Sequence, residues 1–324
     1  SGQGVCWGYN AAGQLGDSSR VNRLTPVLVK SSVTWSKLSV GSMHTCGLST
    51  AGAAYCWGLN RYGEIGDSTV GTSYATPVAV RMPTGVTFVD IGAGANTTCA
   101  AASTGDVYCW GASGGSVFSS VTGIQRIPTK VAGASGVVRV SVGTLQACAL
   151  TAAGSAYCLG YAGTLGNGTS STSSMTPVAV SGGHVFTEIV AGDDKTCALK
   201  ADGSVWCWGY DSVGQLGDGA VVEVRATPVP IPMAATRLMA GGAGNTNGDH
   251  TCALAVGGAA VFCWGRNSSG QLGDGTATFA TTPVSVVLPT ATAGSAASMA
   301  GRLMGSSTMT ASGCMRSVEA ASIQ

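Results

Sequence analysis

Apolar residues in this chain fall in short runs, and where they alternate with polar ones the period is two. "TPVLV" at residues 25–29, "WSKLSVG" at 35–41, "FTEIVAG" at 186–192 and "SVWCWG" at 204–209 show the pattern. Each run stops within about four to eight residues at a Gly, Ser, Asn or Asp cluster, which is how strands bounded by tight turns are written. No segment sustains a helical period. The pattern predicts an all-β chain of many short strands.

The runs recur. "Cys-Trp-Gly" opens at Cys6, Cys56, Cys109, Cys207 and Cys263, with Cys158-Leu159-Gly160 as a variant. About twenty residues after each comes a proline leading an apolar run, at Pro26, Pro77, Pro128, Pro177, Pro228 and Pro283. Between these markers lies "GQLGD" at residues 13–17, 214–218 and 270–274, softened to "GEIGD" at 63–67 and "GTLGN" at 163–167. The third copy, "GASGGSVFSS", has lost it.

The chain therefore repeats a unit of about 50 residues six times, beginning near Cys6, Cys56, Cys109, Cys158, Cys207 and Cys263. A unit of four short strands cannot bury both its faces alone, and radial stacking of such sheets solves that problem. We expect residues 1–324 to form a single β-propeller domain of six blades, each of four antiparallel strands.

"HTCGLSTAGAAYCWGLNRYGEIGD" and "KTCALKADGSVWCWGYDSVGQLGD" resemble the repeat of the regulator of chromosome condensation family, and the resemblance spans nearly the whole chain. It implies a β-propeller, usually of seven blades, so seven is the alternative to the six repeats counted. A degenerate blade within 285–313 would supply the difference. The nuclear nucleotide exchange for which the family is named needs a protruding wedge and charged contacts, and conflicts with the cysteine pattern below.

The cysteines pair by spacing: Cys46 with Cys56, Cys99 with Cys109, Cys148 with Cys158, Cys197 with Cys207, and Cys252 with Cys263 one residue wider. The intervening "STAG", "ASTG", "TAAG" and "KADG" fit a type I turn closed by a left-handed glycine. Counting outward from Gly52 sets Cys46 opposite Cys56, where Cα atoms about 4.5 Å apart allow a disulfide. Free core thiols are the plainer alternative. Zinc ligand spacing is missing, and only His44, His184 and His250 are available as partners. Cys6 and Cys314 remain, each half of a hairpin, so the N-terminal strand is expected to complete the last blade. The same bridge could form between molecules and build rings or filaments. The stretch from Thr290 to Thr310, rich in Ala, Ser, Gly and Met, gives slack for either. Five regular pairs point to an oxidising compartment, and the protein is expected to be secreted, extracellular or at a cell surface.

Composition narrows partners. Charged residues are 10%, with a formal net charge of +1, against about 25% charged in an ordinary soluble domain. Nothing tracks a nucleic-acid backbone, and no stretch of about 18 apolar residues could span a bilayer. The sequence begins "SGQGVCWG", without the basic and apolar regions of a leader, and is expected to be soluble and processed.

Individual motifs then divide. The recurring Trp7, Trp57, Trp110, Trp208 and Trp264 are expected to pack between blades; light sensing would need framing arginines that the sequence does not supply. Asp17, Asp67, Asp218 and Asp274 each offer one carboxylate per turn, which suits turn capping rather than calcium. Asn96, Asn167 and Asn267 head N-glycosylation sequons, so glycans are candidate covalent additions. "GDD" at 192–194 and "GDH" at 248–250 are not joined by a nucleophile or second base. No catalytic residue, metal site or cofactor is expected, and the chain is not expected to be an enzyme.

Two functions fit. One is an extracellular structural or adhesive propeller whose partner is itself, as a homo-oligomer or filament of a wall or matrix, or other extracellular proteins. The alternative is a secreted monomeric binding module or inhibitor of one protein. The neutral surface and bland loops such as "GTSSTSSM" favour assembly.

Overall fold

The computed structural model describes residues 2–112, 123–241, 249–258, 260–287 and 312–316. Residues 288–311, most of the 285–313 stretch expected to hold any further blade, and the degenerate loop at 113–120 lie outside them. Every regular element among the described residues is a strand. No helix there is long and apolar enough to cross a membrane.

The strands form successive antiparallel sheets. β3 (Trp35–Val40), β4 (His44–Ser49), β5 (Ala54–Asn60) and β6 (Thr72–Ala79) pair in chain order. β7 (Phe88–Ala93), β8 (Thr97–Ala102), β9 (Val107–Ala112) and β10 (Ile124–Val131) repeat this, as do β11 (Val137–Val142), β12 (Gln146–Thr151), β13 (Ala156–Gly160) and β14 (Ser174–Ala179). Next come β15 (Glu188–Ala191), β16 (Lys195–Leu199), β17 (Ser204–Asp211), β18 (Val222–Ala240), β19 (His250–Ala255), β20 (Val261–Gly265) and β21 (Ala280–Ser285). These seven form one sheet because β18 runs for 19 residues, pairing with β17 along its first part and with β19 along its last. It is the outer strand of one blade and the inner strand of the next.

The last sheet joins the two ends of the chain. β22 (Ser312–Arg316) pairs with β1 (Gly4–Gly8), which pairs with β2 (Arg23–Leu28), and Cys6 lies opposite Cys314. The N-terminal strand thus completes the final blade, as in a β-propeller closed by its own ends. This sheet has three strands among the described residues; the other blades have four.

Local chemistry explains the elements. Gly52, Gly105, Gly154 and Gly203 close the β4–β5, β8–β9, β12–β13 and β16–β17 hairpins with φ of +79° to +84°, a region natural to glycine. The Gly52 N–H donates to Ser49 O at 3.0 Å. Each outer strand carries the proline of the repeat: Pro26 in β2, Pro77 in β6, Pro128 in β10, Pro177 in β14, Pro228 in β18 and Pro283 in β21. Register shifts in the same pairings, as between Cys56 and Gly58 opposite β6. Proline lacks a donor and suits only such edges, so the outer rim resists further strand pairing.

The first strands of successive sheets meet: β3 with β7, β7 with β11, β11 with β15, and β15 with β18. Their ends approach so closely that only glycine fits. A Cβ on Gly41 would collide with Gly94 O, one on Gly94 with Gly143 O, and one on Gly143 with Gly192 O.

Candidate functional site

Three layers of each repeat bear on function: the cysteine hairpin, the loop that follows it, and the polar residue that opens its second strand.

The hairpins place Cys46–Cys56, Cys99–Cys109, Cys148–Cys158, Cys197–Cys207, Cys252–Cys263 and Cys6–Cys314 as bonded pairs, each with Cα atoms 4.1 Å apart. Every pair occupies directly opposed ladder positions, so the turn register brings the sulfurs together without backbone adjustment. Cys6 and Cys314 are joined within one chain.

The loops after Cys6, Cys56 and Cys207 reach the next sheet. The carbonyl of Gln14 accepts from Trp57 Nε1 at 2.9 Å and from Thr45 Oγ1 at 2.8 Å; that of Glu64 accepts from Trp110 Nε1 at 2.8 Å and Thr98 Oγ1 at 3.0 Å. Backbone bonds add to this: Ser18 N–H to Ala75 O, Ser68 N–H to Arg126 O and Gly219 N–H to Thr281 O. Trp57, Trp110, Trp208 and Trp264 are fully buried, whereas Trp7 is half-buried. Leu159 stands where a tryptophan would, and an apolar pocket beside it is lined by Cys99, Val107, Cys109, Val140 and Ala149.

The turn aspartates cap their own loops. Asp17 accepts from Ser19 N at 2.9 Å and pairs with Arg23 at 2.8 Å; Asp218 accepts from Ala220 N at 2.9 Å and pairs with Arg225 at 2.7 Å. Among the described residues no group of three His, Cys, Asp or Glu is placed to hold a metal.

The residue opening the second strand varies: His44, Thr97, Gln146, Lys195 and His250, all buried. It points across the blade junction. His44 Nε2 meets Thr98 Oγ1 at 2.9 Å, and Gln146 Nε2 donates to Lys195 O at 2.7 Å. Lys195 is fully buried and its Nζ has no hydrogen-bond partner. Burial raises Asp194 to about 6 and raises Asp249, while the nearby Lys195 charge works against both shifts. Burial holds His44 and His250 down at about 4. "GDD" and "GDH" thus contribute Asp194, Asp249 and His250 to one buried polar cluster around Lys195. Sequence reasoning passed over Lys195. The signal was available, because it holds the place before Thr-Cys that His44 and His250 hold.

The three sequon asparagines part company. Asn96 is exposed and Asn167 half-buried, with Asn167 Oδ1 accepting from Thr169 N at 3.2 Å. Asn267 is not a workable glycan acceptor in the folded chain. Its side chain is wholly buried, and Nδ2 donates to Asp274 Oδ1 at 3.1 Å and Thr276 O at 3.2 Å.

Exposed apolar residues are scattered; the most exposed is Leu24 at 86%, on the outer strand β2, with Leu28 on the same strand at 55%.

Comparison with known proteins fits this architecture. The family model of the RCC1-like domain matches residues 2–315. No curated protein matches the sequence. Yeast RCC1 (Prp20), solved bound to Kap60, superposes with a TM-score of 0.73 at 21% identity, covering 88% of this chain and 72% of that one. Prp20p from Saccharomyces cerevisiae, solved in a study of its binding to Gsp1p and histones, gives 0.73 at 21%, covering 88% and 74%. Human WBSCR16 gives 0.56 at 19% identity, covering 89% and 94%. At these identities the likeness is one of fold.

Proposed function

The chain belongs to the RCC1-like domain family, and from that premise we propose that it is a secreted or cell-surface propeller that works by protein–protein interaction, as a subunit of a self-assembled filament, wall or matrix. The observation that carries the reading is the pairing of every cysteine, six bridges in all, with no free thiol. Such a set is stable only where the surroundings oxidise. It is also unsuited to the nucleus, so the Prp20 partners are not carried over; only the use of a propeller to bind protein is.

A surface with 10% charged residues and a net charge of +1 tolerates dense packing of copies. Proline in every described outer strand argues against assembly through the rim, which leaves the loop faces as the contact surfaces. We propose no enzymatic role: among the described residues the buried cluster at Lys195 has no nucleophile paired with a base.

The bridge between Cys6 and Cys314 within one chain favours a second reading, a self-closed monomer that acts as a binding module or inhibitor of one protein. Light scattering of the oxidised protein, with mass mapping of the peptide holding Cys6, separates the two. Multimers at micromolar concentration support the assembly. A strict monomer in the same conditions overturns it in favour of the binding module, and free thiols in the native material overturn the extracellular assignment.

A further inference from the structure

In four of the repeats a buried residue four positions after the second hairpin cysteine ties the following loop. In three copies this is Asn10, Asn60 or Asn267. Its Oδ1 accepts the backbone N–H of Leu15 at 3.0 Å, Ile65 at 3.2 Å or Leu272 at 3.0 Å. Its Nδ2 donates to the carboxylate of Asp17 at 3.2 Å, Asp67 at 3.4 Å or Asp274 at 3.1 Å. An amide suits the place because one end accepts and the other donates.

A fourth copy has Asp211 there, fully buried on the last residue of β17. Asp211 Oδ1 accepts the Leu216 N–H at 3.0 Å, as the asparagines do. Its Oδ2 is left in the place of the amide nitrogen, buried and without a hydrogen-bond partner. The corresponding capping carboxylate, Asp218, is already an acceptor from Ala220 N at 2.9 Å and from Arg225 Nε at 2.9 Å. An oxygen thus stands where the architecture asks for a donor.

We propose that Asp211 and Asp218 form a proton-operated lock on the 211–219 loop. With a proton on Oδ2, Asp211 donates towards Asp218 as the asparagines do; without it, two carboxylates oppose each other and the loop loosens. The loop spans a blade junction. Gln215 O accepts from Thr251 Oγ1 at 3.2 Å, Gly219 N–H donates to Thr281 O at 2.9 Å, and a Cβ on Gly217 would lie 2.6 Å from Trp264. Protonation therefore tightens the contact between the β15–β18 blade and the blade that follows. The inference rests on internal comparison of repeats and does not depend on the assembly role.

The charged groups acting on Asp211 are Asp218 in its own loop, Arg225 on β18 and Asp194 in the turn before β16. Burial raises Asp211 to about 6, with Asp218 and Asp194 adding to it and the Leu216 N–H and Arg225 opposing. An unfolded aspartate titrates near 3.8. The protonated form is therefore favoured by folding: this contribution is complete below 3.8 and is lost as pH rises through about 6. A displacement of about two pH units is worth up to ~100-fold in the folding equilibrium.

The test compares the full oxidised chain with Asp211→Asn by denaturant titration from pH 4 to 7.5, with carboxyl NMR of Asp211 and exchange of the Leu216 and Gly219 amides. The lock requires a midpoint near 6, an Asn variant that gains up to ~100-fold over the parent across that range, and exchange that accelerates with deprotonation only in the parent. Parallel pH profiles with unchanged protection overturn it. If the Asn variant does not fold, Asp218→Asn serves: it must lower the Asp211 midpoint, and an unmoved midpoint overturns the lock equally.

Discussion

Gly66 and Trp110 touch across a blade junction: a Cβ on Gly66 would lie 2.8 Å from Trp110 Nε1, and that nitrogen donates to Glu64 O two residues earlier, also at 2.8 Å. Gly16 meets Trp57, Gly166 meets Trp208 and Gly217 meets Trp264 at similar distances, but the indole nitrogens of Trp208 and Trp264 are buried without a hydrogen-bond partner. In these four copies the second glycine of the motif is fixed twice, by a left-handed backbone and by an indole that leaves no room for a side chain, whereas Gly273 meets only Val286. The tryptophan and the loop are one device divided between neighbouring repeats. The third copy lacks the loop motif, and the repeat that would receive it has Leu159 instead of tryptophan.

Gly66→Ala should cost about 2–4 kcal/mol, combining left-handed strain with a clash at the indole. Gly71→Ala separates the two, since Gly71 has φ of +78° but nothing within 4 Å. It should cost only about 1 kcal/mol. Urea denaturation of both variants checks this, and equal losses would show that the Trp110 contact contributes nothing.

Local order was legible; cross-blade order was legible only in the recurring tryptophans and the closing strand. Period-two runs and turn glycines fix strands and hairpins through neighbours in sequence, so Cys46 could be placed opposite Cys56 by counting. The need for glycine at Gly41, Gly94 and Gly143 arises from a carbonyl about one repeat away, at positions where no positive φ marks it. Asn267 looked like an acceptor for sugar because its sequon is local, while its partners Asp274 and Thr276 are met only after the loop has folded back. The burial of Lys195 could be read only by aligning repeats, since it holds the place before Thr-Cys that His44 and His250 hold, while the groups that cover it lie about 50 residues away.

The buried histidines give the opposite pH limb to Asp211. His44 falls from 6.5 to about 4 on folding because burial disfavours its charge, so folding favours the neutral ring. That stability is complete above 6.5 and is lost as pH falls towards 4, about 3 kcal/mol at the limit. His44→Gln is conservative, since Gln146 holds the equivalent place. It should be less stable than the parent at pH 7.5 and match or exceed it near pH 4.5. A gap independent of pH would show that His44 charges freely in the fold.

Glycan occupancy should follow exposure. In a secreting eukaryotic host we expect sugar on Asn96 and Asn167 and none on Asn267, whose Nδ2 is spent on internal acceptors. Peptide mass mapping after glycosidase treatment in heavy water reads each site separately. Sugar at Asn267 would mean that the transferase acts before the last loop closes.

The six bridges should differ in worth by the length of chain they close. Cys46–Cys56 spans a separation of 10 residues and Cys6–Cys314 one of 308. In the chain-entropy account the first restricts the unfolded state by about 3 kcal/mol and the second by about 6 kcal/mol. The longer bridge also ties β22 to β1, which has no covalent route to it except around the whole ring. Cys46→Ala/Cys56→Ala should therefore lower the unfolding midpoint modestly and leave the steepness of the transition nearly unchanged. Cys6→Ala/Cys314→Ala should lower it about twice as far and raise the denaturant m-value, because the unfolded chain is freed to expand. Matched denaturant curves for the two double variants decide the point. Equal losses would mean that strand pairing, not the terminal bridge, holds the ring shut.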